Sequence, residues 1–154
     1  MQVDKPGAAL PQSADASHYY AARDTDAWPL RSEGENEKLL FYRGLAYFGV
    51  DLKAVVSDTG VLLRNDGADT VSEAILFENH AGKTGYQVIH NLREPVSIRF
   101  SELTGATGDV QQIVEEESVE MGLYRKEAQA MIKTWQDSWF EEGSVCFTLC
   151  HDRR

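Results

Sequence analysis

The sequence predicts an α+β fold: an antiparallel β-sheet or sandwich of about six to seven short strands, with a C-terminal helical hairpin packed on it. In the β-rich core, residues 37–108, short apolar stretches alternate with turn sequences, as in antiparallel sheets. In 109–142 the apolar residues take the three-or-four step of a helix. The final residues, 143–154, predict one more strand and a tail. A chain of 154 residues suits one domain.

The first 36 residues carry little periodic pattern. Residues 1–17 are rich in Ala, Ser, Asp, Gly and Pro, and we expect a flexible lead there. The following range, 18–36, contains the aromatic patch "HYYAARDTDAWPL". It predicts an irregular arm that Tyr19, Tyr20 and Trp28 hold against the core.

Six apolar stretches have the composition of strands. "VSIRF" (96–100) is the clearest, since its apolar residues alternate with Ser97 and Arg99 and so place one side inward. Asp58-Thr59-Gly60 predicts a tight hairpin turn, because Gly accepts a positive φ. The other five stretches are "KLLFYRGLAYF", "LKAVVS" (52–57), "VLLRN", "EAILFEN" (73–79) and "YQVIHNL" (86–92).

Two helices follow Gly108. Asp109 can cap the first helix, and Gly122 is the type of residue that ends one. The second helix is expected from near Tyr124 to about Glu142. Its apolar stripe follows helical spacing through Ala128, Met131, Ile132, Trp135 and Trp139.

The stretch "KTWQDSWFEEG" allows two interpretations. Aromatic side chains beside carboxylates line many sugar-binding clefts, but they also occur where an amphipathic helix docks on a core. Trp135 and Trp139 share a face with Met131 and Ile132, whereas the acidic residues fall mostly off that stripe. The spacing therefore favours a core helix over a sugar-binding platform.

The charge and hydropathy pattern exclude several classes of protein. A net charge of −10 repels a phosphate backbone, so we expect no nucleic-acid partner. The N-terminus has neither a basic start nor an unbroken apolar core, which argues against a signal peptide. The longest apolar runs are too short to cross a bilayer, so no transmembrane segment is expected. If the chain is complete as written, it belongs in the cytoplasm.

No cofactor, metal or catalytic constellation is predicted. Cys146 and Cys150 are four residues apart on a predicted strand, too far for a disulfide, and we expect reduced, partly buried thiols. A metal site with His151 would lack the usual ligand spacing. "HAGKTG" lacks the first glycine of a phosphate-binding loop and predicts a hairpin turn instead.

Four residues are candidates for ligand binding. Arg43 interrupts an otherwise apolar strand, so it is either a buried partner of Glu78 or Glu141 or an anion-binding residue. Glu78 and His80 lie two positions apart at a strand end and can face the same side. Trp28 offers a stacking surface. A concave pocket where these four meet would support ligand binding.

The helical region 109–142 has nine acidic and three basic residues, so it carries more than half of the excess negative charge. A solvated helical face explains this distribution. A docking surface for a basic partner explains it as well.

Three stretches, "YYAARDTDAWPLR", "EKLLFYRGLAYF" and "GLYRKEAQAMIKTWQDSWFEEG", resemble motifs of a group of uncharacterised bacterial proteins, often from longer exported or envelope-associated precursors. The resemblance covers residues 19 to about 149. It implies no activity and no catalytic residue. In that group the chain begins further upstream and continues past the last strand. We therefore expect a fragment of a longer protein, in the periplasm or cell envelope if that precursor is exported.

Two functions remain open. The favoured one is a non-enzymatic structural or protein-interaction domain that uses sheet edges or the acidic helical face. The alternative is a carbohydrate- or peptide-binding or hydrolase-like domain built around Arg43, Glu78, His80 and Trp28.

Overall fold

The computed structural model describes residues 2–3, 8–11, 17–40 and 51–148. Two 3-10 helices, His18–Asp24 and Phe100–Glu102, accompany the strands and helices. In chain order, the strands are β1 (Gln2–Val3), β2 (Leu30–Ser32), β3 (Glu35–Glu37), β4 (Leu52–Ser57), β5 (Gly60–Asn65), β6 (Val71–His80), β7 (Lys83–Leu92), β8 (Val96–Arg99) and β9 (Gly143–Phe147). The helices α1 (Thr107–Glu120) and α2 (Arg125–Trp139) lie between β8 and β9.

The strands form three antiparallel sheets, each of three strands within the described residues. The first sheet, β1-β2-β3, belongs to the N-terminal arm. The second, in the order β4-β5-β8, is the outer sheet. The third, in the order β7-β6-β9, is the central sheet. The predicted α+β class is therefore confirmed.

Strand β6 lies in the middle of the central sheet and is buried on both faces. Four consecutive residues, 74–77, are buried there, which no strand with a solvated face would show. Ala81 and Gly82 form the two-residue turn to β7, both with positive φ. Such a mirror-image turn matches the right-handed twist of paired strands, so it sets the register of the long β6–β7 hairpin.

One face of the central sheet packs on the outer sheet. Leu76 of β6 and Ile89 of β7 contact a cluster that includes Val61 and Leu63 of β5 and Ile98 of β8. These residues sit at alternate positions of their strands, so each strand directs one side into this layer. The two sheets therefore form a sandwich.

The other face of the central sheet packs on the helices. Ile75 and Phe77 of β6 contact Val110 and Val114 of α1, together with Ile132 of α2 and Phe140 just beyond it. The rings of Phe77 and Phe140 meet edge to face, with centroids 5.5 Å apart. Residues 51–148 thus form three layers: outer sheet, central sheet and helices.

The start of α1 and the end of α2 differ slightly from the predicted boundaries. Helix α1 begins at Thr107, and Asp109 lies in its first turn, where its carboxylate accepts a hydrogen bond from the Ala106 N–H at 2.9 Å. Helix α2 ends at Trp139, before the predicted end at Glu142. Phe140 leaves helical geometry so that its side chain is buried against Phe77.

The N-terminal arm is more regular than its composition predicts, with a 3-10 helix and the β2–β3 hairpin. Tyr19 contacts the ring of Trp135 on α2, as expected for an aromatic anchor. Trp28, in contrast, is exposed and does not hold the arm down. Residues 41–48, most of the predicted strand "KLLFYRGLAYF", lie outside the described residues.

An ion pair ties the arm together. The Arg23 guanidinium donates to both carboxylate oxygens of Glu37, at 3.0 and 2.5 Å, and lies over the ring of Tyr20. Burial alone would raise the pKa of Glu37, but hydrogen bonds from Arg23 and from the Lys38 N–H outweigh it, so this pKa lies below its ordinary value.

Adjacent leucines of β5 test the layer assignment. Leu63 is 0% exposed in the sandwich, whereas Leu62 is 37% exposed on the opposite face. We expect Leu63→Ala to lower the free energy of unfolding by about 2–5 kcal/mol and Leu62→Ala by less than about 1 kcal/mol. Urea denaturation of both variants measures the difference. Equal losses would contradict the sandwich.

The Arg23–Glu37 pair predicts an acid-dependent stability. Because the pKa of Glu37 is lowered on folding, the pair stabilises the fold above the ordinary carboxyl pKa of 4.5 and loses this effect as the pH falls further. We expect Glu37→Gln to cost about 0.5–1 kcal/mol at pH 7 and little at pH 3. Urea midpoints at both pH values test this. Glu35→Gln, an exposed neighbour in β3, is the matched control and should show no such dependence.

Candidate functional site

A cavity of about 450 Å³ lies between the central sheet and the helices; we call it the apolar cavity. Ile75 of β6 and Phe147 of β9 form its floor, and they are paired in register. Val114 of α1 and Met131 and Trp139 of α2 form its roof. Its volume falls within the range of small-molecule sites.

Helical periodicity and ring contacts position the side chains of α2 that line the cavity. Met131 and Trp139 are eight residues apart on α2, which returns them to the same helical face. The Trp139 ring is stacked on Trp135 at 6.5 Å and meets Phe147 edge to face at 5.8 Å. These contacts hold the indole of Trp139 in one position beside the cavity.

The charged side chains that line the apolar cavity, among the described residues, are two carboxylates, Glu73 and Glu117. The Glu73 side chain is 20% exposed, and its Oε2 lies 3.2 Å from Nδ1 of His90 on the paired strand β7. Thr148 donates from Oγ1 to the Glu73 carbonyl oxygen at 3.1 Å, which fixes the strand end beside the cavity. The site therefore combines apolar walls with negative charge.

Cys146 borders the cavity, but its side chain packs against the sandwich cluster on the other face of the sheet, and it is a free thiol. Burial raises the pKa of this thiol, which keeps it protonated and disfavours its use as a nucleophile. The other predicted thiol, Cys150, and His151 lie outside the described residues. Within the part of the chain that the structure describes, no group of three or more His, Cys, Asp or Glu residues could hold a metal ion.

Glu78 and His80 each have a structural partner near the end of β6. The Ser144 hydroxyl donates to the Glu78 carboxylate across the β6–β9 pairing. His80 is largely exposed, with its Nδ1 3.6 Å from Glu142 Oε1. Glu142 also accepts from the backbone N–H of Ala81 at 3.0 Å, so this carboxylate clamps the β6–β7 turn to the segment after α2.

Three of the four predicted binding residues, Trp28, Glu78 and His80, are described, and the structure does not bring Trp28 together with the other two. Arg43 lies outside the described residues. Trp28 precedes β2 in the arm, and no described hydrogen bond, ion pair or ring contact joins it to Glu78 or His80. A second cavity, of about 310 Å³, lies between the arm and α2. Trp28, Glu78 and His80 are not among the residues that line either cavity. Ligand binding around Arg43 stays a prediction.

The acidic helices carry three basic residues, and all three are paired. Arg125 contacts Glu115 of α1 at 2.5 Å. Lys126 and Lys133 contact Asp26 and Asp24 of the arm at 2.5 and 3.8 Å. Each base of α2 thus has a carboxylate partner on a neighbouring element.

A second candidate is the β4 edge, which we define as strand β4 with Leu62 beside it on β5. Val55 and Val56 are 58% and 61% exposed, and Leu62 is exposed too. The sequence pattern of "LKAVVS" did not reveal this surface, because an apolar strand looks the same whether or not another layer covers it. Among the described residues, β4 has a paired strand on one side alone, namely β5.

Searches with protein-family models, against curated proteins and against solved structures find no match to this chain. Among the described residues, no helix is both long and apolar enough to span a membrane.

The raised pKa of Cys146 predicts slow alkylation. In a Cys150→Ser background, the folded protein should react with iodoacetamide at pH 8 at least about tenfold more slowly than the urea-unfolded chain, because less thiolate is present and access is restricted. Mass spectrometry of quenched samples gives both rates. Equal rates would contradict a partly buried thiol with a raised pKa.

Proposed function

We propose that this chain is a protein-interaction domain that binds an extended segment of another protein along the β4 edge. The observation that carries the proposal is an apolar strand that, within the described part of the chain, is exposed on both faces and lies at the margin of a sheet. An added strand would complete the outer sheet with main-chain hydrogen bonds, and its side chains would cover the exposed valines.

Both faces of β4 contribute apolar surface. Val55 pairs with Leu62 on the outer face, and both are exposed. Val56 pairs with buried Val61 on the inner face, yet Val56 itself is exposed. The central sheet therefore covers β5 but not the turn-proximal part of β4. Soluble proteins usually protect such an edge with charges, proline or a covering element.

The backbone geometry of β4 provides the pairing groups. Ser57 and Gly60 flank the two-residue turn and form its closing pair. In an antiparallel ladder the hydrogen-bonded and open positions alternate, so Ala54 and Val56 direct their N–H and C=O groups away from β5. Those groups are the ones that a partner strand would meet.

The net charge indicates what kind of partner suits this edge. Two copies of the chain, each at −10, repel one another on approach, whereas a basic partner is attracted. We therefore favour a segment with alternating β-branched residues and flanking lysine or arginine over a second copy. The resemblance to exported and envelope-associated bacterial proteins supports an encounter at the cell envelope.

Selection from a random dodecapeptide display library tests the proposal. We expect enriched peptides to combine β-branched residues with basic flanks. Val56→Pro removes the outward N–H without breaking the ladder to β5, and it should weaken a selected peptide by at least about tenfold. Val55→Lys should also weaken it, and Gln136→Lys on the exposed side of α2 is the charge-matched control. Titration calorimetry measures affinity, and near-UV circular dichroism checks folding.

Three results would overturn the proposal. One is the absence of any enriched peptide with this pattern. Another is a Val56 amide already protected from hydrogen exchange in the free monomer, which would show that the chain itself occupies the edge. The third is a dimer by light scattering that Val56→Pro dissociates, which would assign the edge to a second copy.

A further inference from the structure

We propose that the apolar cavity is a binding site for a small organic cation, an ammonium group carried on an apolar body. This site is separate from the β4 edge, and the inference does not depend on the proposed partner. It rests on the shape of the cavity, on the sign of its charges and on the position of one indole.

The walls fit an apolar body. Ile75, Val114, Met131, Val145 and Phe147 surround a space of about 450 Å³. This is a volume typical of ligand sites rather than of the packing gaps inside a core. Met131 is unbranched and can adapt its rotamer to the shape of a ligand.

The charges fit a cation. Among the described lining residues the ionisable acids are Glu73 and Glu117, and none is lysine or arginine. Glu73 has a mostly buried side chain, and the described contact with His90 uses its Oε2. A partly buried carboxylate attracts an ammonium group more strongly than an exposed one, because less water screens the pair.

Trp139 adds a second attraction for the same charge. Its indole lines the cavity and is held by Trp135 and Phe147. The electron-rich face of an indole stabilises a nearby cation, and the effect grows when water is excluded. Glu73 on β6 and Trp139 on α2 thus line one space from opposite layers.

The same features disfavour other ligand classes. A carboxylate or phosphate ligand would meet Glu73 and Glu117 and be repelled. A sugar would bring many hydroxyl groups to walls that are mostly hydrocarbon, where most of them would lose their hydrogen bonds to water.

The first test compares three probes of similar shape by titration calorimetry on the full chain: 4-phenylbutylammonium, 4-phenylbutanol and 4-phenylbutanoate. We expect the ammonium to bind about tenfold or more tightly than the alcohol, and the acid to bind least. Equal affinity of ammonium and alcohol, or no binding of the ammonium, would overturn the proposal.

Variants then locate the site. Glu73→Gln should weaken the ammonium by about tenfold and leave the alcohol unchanged, while its amide can still accept from His90. Glu120→Gln makes the same charge change at an exposed position of α1 and should bind like the original chain. Val145→Phe should exclude both probes by filling the cavity, with circular dichroism as the folding check.

Two further outcomes are decisive. Ammonium binding that survives both Glu73→Gln and Val145→Phe takes place elsewhere and refutes the site. Val56→Pro should leave ammonium binding unchanged, so the result for the cavity and the result for the β4 edge can be read separately.

Discussion

The fold depends on a single strand whose two faces are both buried. The period of two along β6 sends Leu76 into the sandwich, while Ile75 and Phe77 pack under the helices. A shift of register by one residue would exchange these sets and bring both layers into conflict. The Ala81–Gly82 turn and the pairing with β9 prevent that shift from two sides. The outer sheet, which contains the β4 edge, packs on one face of this strand, and the helices that roof the apolar cavity pack on the other.

Each of the two candidate sites lies where one layer of the fold covers its neighbouring layer incompletely. The central sheet covers β5 and leaves the inner face of Val56 exposed. On the other side of the central sheet, the helices and β9 enclose a space instead of closing over Ile75 completely. Away from these two sites the core is well packed: Phe77 is buried under the helices, and Leu76 is buried in the sandwich. A well-packed centre and incompletely packed margins therefore coexist in one chain.

The sequence predicted the fold class and most elements because those depend on local patterns. The stripe from Ala128 to Trp139 and the alternation in "VSIRF" are visible in a few consecutive residues. The cavity could not be predicted, since Glu73 and Trp139 are far apart in sequence and meet through tertiary packing. The exposure of Val56 depends on the extent of a facing layer, which no local pattern records. The composition of the arm predicts irregular structure, and its hairpin could not be predicted because the neighbours of Arg23 and Glu37, which pair in the structure, show no periodicity.

The order of the central sheet, β7-β6-β9, has a consequence for biosynthesis. A ribosome delivers β6 and β7 together, and their hairpin can close at once through local contacts. The opposite margin of β6 stays unpaired until both helices have been made, because Cys146 and Phe147 of β9 follow the helices in the chain. During that interval the nascent chain displays Leu76 and Phe77 next to unsatisfied backbone groups. This interval is when the chain is most exposed to misassembly and when a chaperone would have most effect.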